Sequence, residues 1–147
     1  MDRPFQRKGA KSNSEVGRDF EAKAFFATQQ LQLEPGIPIE IGVNGRKPHN
    51  FDLVDTKRLI LMECKSHTWT QGGNVPSAKM TTWNQAMYFF YAAPPRYRKM
   101  LVVRKDYSPK RRETLGQYYI RTNSHLIPED VEIWEFDEDQ NVAARIK

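Results

Sequence analysis

The pattern of apolar and polar positions divides the chain into short elements. Val16, Phe20, Ala24, Ala27 and Leu31 recur at helical spacing, and Ser12 with Glu15 forms a capping box ahead of them, which predicts a helix to about Leu31. Ile37, Ile39, Ile41 and Val43 then alternate with polar or small residues, a half-buried strand by its period of two, and Asn44-Gly45 marks a turn. A hairpin follows: a strand from about Asn50 to Val54, a turn over Asp55 to Lys57, and a strand from Arg58 to Lys65. Leu59, Ile60, Leu61 and Met62 run unbroken in its second strand, as in a central strand covered on both faces. Ser77 caps a second helix, Ala78 to about Tyr91, whose apolar face holds Met80, Trp83, Met87 and Phe90 or Tyr91. Met100 to Val103 is a short buried strand. Ser108-Pro109 opens a third helix, with serine at the cap and proline at the first position. Val131, Ile133 and Trp134 make a last strand flanked by acids, which places it at a sheet edge. The order is αβββαβαβ, without repeats.

The apolar run stops at Glu63-Cys64-Lys65, and charges at the end of a buried strand need a reason, because burying them unpaired is costly. Side chains alternate along a strand, so Glu63 and Lys65 share a face and Cys64, most simply a small buried hydrophobe, takes the other. A tight turn at Thr56-Lys57 sets Asp52 opposite Leu61 and diagonal to Glu63. Diagonal neighbours lie roughly 7–8 Å apart, within reach of one shared ion. Two carboxylates suit a hard cation such as magnesium, and a neighbouring lysine can orient a metal-bound water and offset charge developing on a phosphate. The plainer alternative is a surface hairpin with a Glu63–Lys65 ion pair.

Phe51-Asp52 followed by Glu63-Cys64-Lys65 resembles the PD-(D/E)XK nuclease superfamily. Its motif is an Asp, a gap of ten or more residues, then Glu-X-Lys; Asn50-Phe51 stands where the motif has its proline. The resemblance implies an α/β domain of restriction-endonuclease-like fold: an αβββαβ core with a mixed central sheet flanked by helices. It implies a Mg-dependent endonuclease, or one using manganese, that hydrolyses phosphodiester bonds, in DNA first. Asp52 and Glu63 would bind the metal with the Cys64 carbonyl as a further ligand, and Lys65 would position the attacking water. Glu21, in Gly17-Arg18-Asp19-Phe20-Glu21, is similar to the extra acidic residue of Holliday-junction-resolvase-like members, where it points to the metal; otherwise it is a solvated helix glutamate. Gln85 matches a glutamine common on the second helix of the superfamily, a substrate or water contact if not a surface glutamine.

Charge extends this picture. The net charge is +5, yet residues 129–139 hold seven of the eighteen acids, and the chain up to residue 128 carries 21 Lys and Arg against 11 Asp and Glu. A basic body suits a polyanion such as nucleic acid, or marks a generic basic protein. Lys110, Arg111 and Arg112 would lie in the first turn of the third helix, where cations oppose the helix dipole and an outside phosphate would relieve the cost; a solvated basic face is the alternative. Lys79 on the second helix is a further candidate nucleic-acid contact. Trp69, in the Gly- and Thr-rich loop after Lys65, either stacks on a base or anchors the loop. His49 and His67 lack the spacing of a zinc site.

The length of 147 residues suits a basic arm over 1–11 and one domain over 12–147. One cysteine excludes an internal disulfide, no apolar run reaches the roughly 20 residues a membrane span needs, and residues 1–8 lack a secretory apolar core, so a cytoplasmic location is expected. No separate recognition domain is visible, so substrate selection would come from structure, a partner or a homodimer. A non-catalytic nucleic-acid-binding module or partner subunit on the same fold is the rival to a nuclease.

Overall fold

A computed structural model describes Phe20 and residues 33–147. The expected basic arm, the capping box, Glu21 and the expected first helix, apart from Phe20, lie outside the described residues. The domain is α/β, with a five-stranded mixed sheet and, among the described residues, two α-helices. No described helix is long and apolar enough to cross a membrane.

The first hairpin joins β1 (Pro38–Ile41) to β2 (Lys47–Asn50) as a separate antiparallel pair. Its turn uses the predicted Asn44-Gly45, with Gly45 at φ +88°. Gly42 is obligatory for close approach: a Cβ there would fall 1.7 Å from the Gly45 carbonyl oxygen. The expected strand from Asn50 to Val54 is divided. Asn50 closes β2, the chain bends at Asp52, and β3 (Leu53–Asp55) enters the main sheet beside β4 (Ile60–Lys65).

The turn between β3 and β4 is longer than the sequence led us to expect. Asp55 pairs with Ile60, and the Asp55 carboxylate accepts the Lys57 and Arg58 amide protons at 3.0 and 2.8 Å. Leu59 completes the turn at φ +57°. The register therefore differs from the expected one by two residues. Leu53 pairs with Met62, where the expected register would set it opposite Ile60, and Asp52, in the bend before β3, meets the Cys64 amide rather than lying opposite Leu61. A slip of two leaves every side chain on its expected face, because the side-chain period is two.

From β4 the chain crosses through α1 (Ser77–Ala92) to β5 (Arg98–Arg104), parallel to β4. Ser77 is not the cap: Pro76 holds that position and no side chain caps the helix. The expected helix at Ser108-Pro109 is a hairpin instead, β6 (Tyr107–Ser108) with β7 (Glu113–Thr114), and Lys110, Arg111 and Arg112 form its turn. Ser108 Oγ accepts the Arg111 amide at 3.2 Å, a local turn that competes with helix formation. The helix α2 (Leu115–Asn123) begins later, at a reciprocal capping box: Gln117 N–H donates to Thr114 Oγ1 at 3.1 Å, and Thr114 N–H donates to Gln117 Oε1 at 2.9 Å. The last expected strand is longer and interior. β8 (Val131–Asp137) lies parallel to β5, and β9 (Val142–Arg145) takes the edge beyond it, giving the order β3-β4-β5-β8-β9.

The sheet has a core on each face, as the unbroken run in β4 requires. Leu61, Leu101, Val103 and Ile133 meet Trp83, Met87 and Phe90 of α1 and Leu115 and Tyr119 of α2. Ile60, Met62, Cys64, Met100, Val102 and Phe136 pack on the opposite face with Phe20 and Leu33. The acids in and flanking β8 answer the bases of β5: Arg98 pairs with Glu132 at 2.6 Å, Lys99 with Asp130 at 2.7 Å, and Arg104 with Glu138 at 2.9 Å. The charge division seen along the sequence is thus partly neutralised in space.

Candidate functional site

Three stretches converge at the end of β4: the bend at Asp52, the end of β2 at His49, and Glu63-Cys64-Lys65. Asp52 Oδ2 accepts the Cys64 amide proton at 2.7 Å, which fixes its carboxylate at the strand it faces. Glu63 is buried, 6% exposed, and its Oε1 lies 3.4 Å from His49 Nε2. Among the described residues Glu63 pairs with His49 and not with Lys65, unlike the plainer alternative of a Glu63–Lys65 ion pair. The His49 ring is set by a stack on Phe89 of α1, centroids 4.0 Å apart, and by an edge contact with Phe51 at 4.6 Å. Lys65 is half-buried at the strand end, and no ion pair among the described residues engages it.

Among the described residues, no group of three or more His, Cys, Asp or Glu is arranged to hold a metal ion. The donor set present is two carboxylates with an imidazole beside one of them. An ion held there would need to complete its shell from a carbonyl and waters, as magnesium does, and the set gives no cage for zinc.

His49 was missed as a site residue. Its spacing of fourteen from Glu63 carries no motif, and only the separate β1–β2 hairpin returns it to β4. Gln85 is exposed on α1, one turn ahead of Phe89 on the same helical face. Trp69 is the loop anchor. It is 7% exposed, its backbone N–H donates to Asp106 Oδ2 at 2.8 Å, and its indole N–H donates to the Asp106 carbonyl at 2.9 Å. The Arg111 guanidinium lies over the Trp69 ring, 5.1 Å from the centroid. Arg111 is structural too, donating from Nε to the Gly73 carbonyl at 2.8 Å. Lys110 and Arg112 are both exposed in the β6–β7 turn, where Arg111 is half-buried, and Lys79 is exposed in the first turn of α1.

Beyond β4 the chain runs into a cleft of about 860 Å³ between the Ser66–Gln71 loop, the start of α1 and Arg104. His67 is in its wall. Trp83, fully buried, donates its indole N–H to His67 Nδ1 at 2.9 Å. Burial, and then Lys65, Lys79 and Arg104, hold the His67 pKa below its ordinary value of 6.5. A histidine with a lowered folded pKa contributes stability that is complete above the unfolded value and lost as pH falls through the folded one. Unfolding curves at pH 7.5 and pH 5 should therefore show a stability loss on acidification that is smaller in His67→Asn. An equal loss in both proteins would assign the acid sensitivity elsewhere.

Glu135 lies in the same row of the sheet as Lys65, with Val103 between them. Burial raises its pKa, and its Oε2 has no hydrogen-bond partner among the described residues. A Cβ on Gly116 would fall 3.0 Å from that oxygen, so a side chain there would have to push Glu135 aside by a few tenths of an ångström.

No protein-family model, curated protein or solved structure matches the chain.

Proposed function

We propose that the chain is a metal-dependent nuclease of restriction-endonuclease-like fold, hydrolysing phosphodiester bonds in DNA. The observation that carries this is the hydrogen bond that holds the Asp52 carboxylate on the Cys64 amide, between Glu63 and Lys65 at the end of β4. Asp52 and Glu63, with the Cys64 carbonyl, would hold magnesium or manganese, which supplies Lewis acidity and lowers the pKa of a water. The Cys64 amide orients Asp52, and His49 orients Glu63. Lys65 directs the attacking water toward phosphorus and donates to the phosphoryl oxygen as the phosphorus–oxygen bond to the leaving strand breaks. Gln85 would contact the substrate or the water from α1, and Glu21 would complete the acidic cluster.

Incubating supercoiled plasmid and branched DNA with the protein, in magnesium, in manganese and in a chelator, tests this. Cleavage should appear with metal and vanish with the chelator. Binding without cleavage in every metal would favour the rival, a nucleic-acid-binding module. That rival has one observation of its own: Glu63 is already engaged by His49.

For either function the cations of the β6–β7 turn should matter through charge alone. Lys110→Glu with Arg112→Glu should weaken DNA binding about equally across sequences and reduce the salt slope by roughly 0.9 for each phosphate no longer neutralised. Arg111→Glu should instead lower thermal stability, because Arg111 holds Gly73 and covers Trp69. An unchanged salt slope in the double variant would show that the turn faces solvent only.

A further inference from the structure

The cleft past β4 lies beside the carboxylate pair, not over it. Its lining includes Ser66, His67, Thr68, Thr70, Lys79 and Arg104 and, among the described residues, holds no Asp or Glu. Three features suit it to an anion. First, its cations are not all neutralised. Lys79 is exposed in the first turn of an uncapped helix that has no acid there, so its charge adds to the helix dipole. Arg104 gives Nη2 to Glu138 at 2.9 Å, while its buried Nε has no hydrogen-bond partner among the described residues. Second, hydroxyl groups line the same wall. Third, the His67 tautomer is fixed. An indole N–H can only donate, so His67 Nδ1, its acceptor at 2.9 Å, carries no proton. The remaining proton of the neutral ring sits on Nε2, a donor set by a fully buried tryptophan.

We propose that this cleft binds a phosphate group through His67 Nε2–H, Lys79 and Arg104, and that it takes the phosphodiester adjacent to the one held at Lys65. The second part rests on the nuclease proposal; the first does not. The chain order supports the adjacency, because Lys65 ends β4 and Ser66 and His67 follow it directly into the cleft wall.

His67→Asn separates the two jobs of the ring. Asparagine Oδ1 can replace Nδ1 as the acceptor for Trp83, so the core stays satisfied, but the side chain is too short to replace the Nε2 donor. Lys79→Ala removes an exposed charge with no packing role. The full chain would be titrated in a chelator, metal-free, with a thymidine trinucleotide and separately with inorganic phosphate, following the His67 Nε2–H and Trp83 Nε1–H resonances. The trinucleotide should shift both resonances, and each variant should bind it about tenfold more weakly, the effect of losing one hydrogen bond to a charged group. Unchanged affinity in both variants would overturn the site. Equal affinity for phosphate and trinucleotide would overturn the adjacent-strand assignment. Because no metal is present, metal-free binding with these losses upholds the site even if the protein cleaves nothing. DNA cleavage at unchanged KM in the double variant would overturn the site while leaving the nuclease proposal standing.

Discussion

Lys65→Ala should reduce cleavage by about 10²- to 10³-fold, the effect of deleting one preorganised donor to a transition-state oxygen, about 2.7–4 kcal/mol. The loss should fall on kcat, because Lys65 contributes most when charge develops on the phosphoryl group. The fold should survive. Lys65 is half-buried at the last position of β4 and pairs with no described carboxylate, so its removal orphans no charge among the described residues. Removing it should also raise the His67 pKa toward its ordinary value, since Lys65 is the largest charge contribution holding that pKa down. Single-turnover cleavage on plasmid DNA and thermal unfolding of both proteins would check this. A variant that folds normally and cleaves at the wild-type rate removes Lys65 from the mechanism.

The second large effect concerns the metal. Asp52 is held at the Cys64 amide, next to Glu63 along the chain, so a cation shared by the two carboxylates should stabilise the folded protein by mass action. At about a hundredfold excess over Kd this amounts to about 2.7 kcal/mol. Asp52→Asn and Glu63→Gln should abolish the response to magnesium and manganese. Without metal both variants should be at least as stable as the wild type, since one of two opposed charges is gone. The hydrogen bonds survive: an Asn carbonyl can still accept the Cys64 amide, and a Gln amide can still meet His49. Calcium should bind without supporting cleavage, because its looser coordination positions water poorly. Thermal unfolding and calorimetric titration of the three proteins would measure this. Identical midpoints for all three, with and without metal, would sink the nuclease proposal and leave a binding module.

The central elements were legible in the sequence because their signals are local and strong. The run from Ile60 to Met62 required cover on both faces, and it has two cores. The pairing of the two strands was legible even though the turn was not, since the faces of the paired residues are robust to a slip of two. What failed was competition between local signals. Ser108-Pro109 carries a helix-start signature, but Ser108 closes a turn on Arg111, and the true cap, Thr114-Leu115-Gly116-Gln117, lay unread six residues on. β9 was invisible because Val142-Ala143-Ala144-Arg145 has no marked alternation, and with β9 missing, β8 looked like an edge. His49 and the cleft could not be read at all. Both depend on where separate hairpins and loops meet in space, which no spacing along the chain encodes.

The wall of the cleft is fastened from behind. Asp106 holds Trp69 through two hydrogen bonds, and Arg111 reaches across from the β6–β7 turn to hold Gly73. The loop after β4 is therefore ordered when the chain folds, not when a ligand arrives. Its conformational entropy is lost once, on folding, so a ligand entering the cleft meets a preorganised surface and loses little affinity to loop ordering. Binding there should resemble docking to a rigid body, with small backbone displacement between free and bound forms.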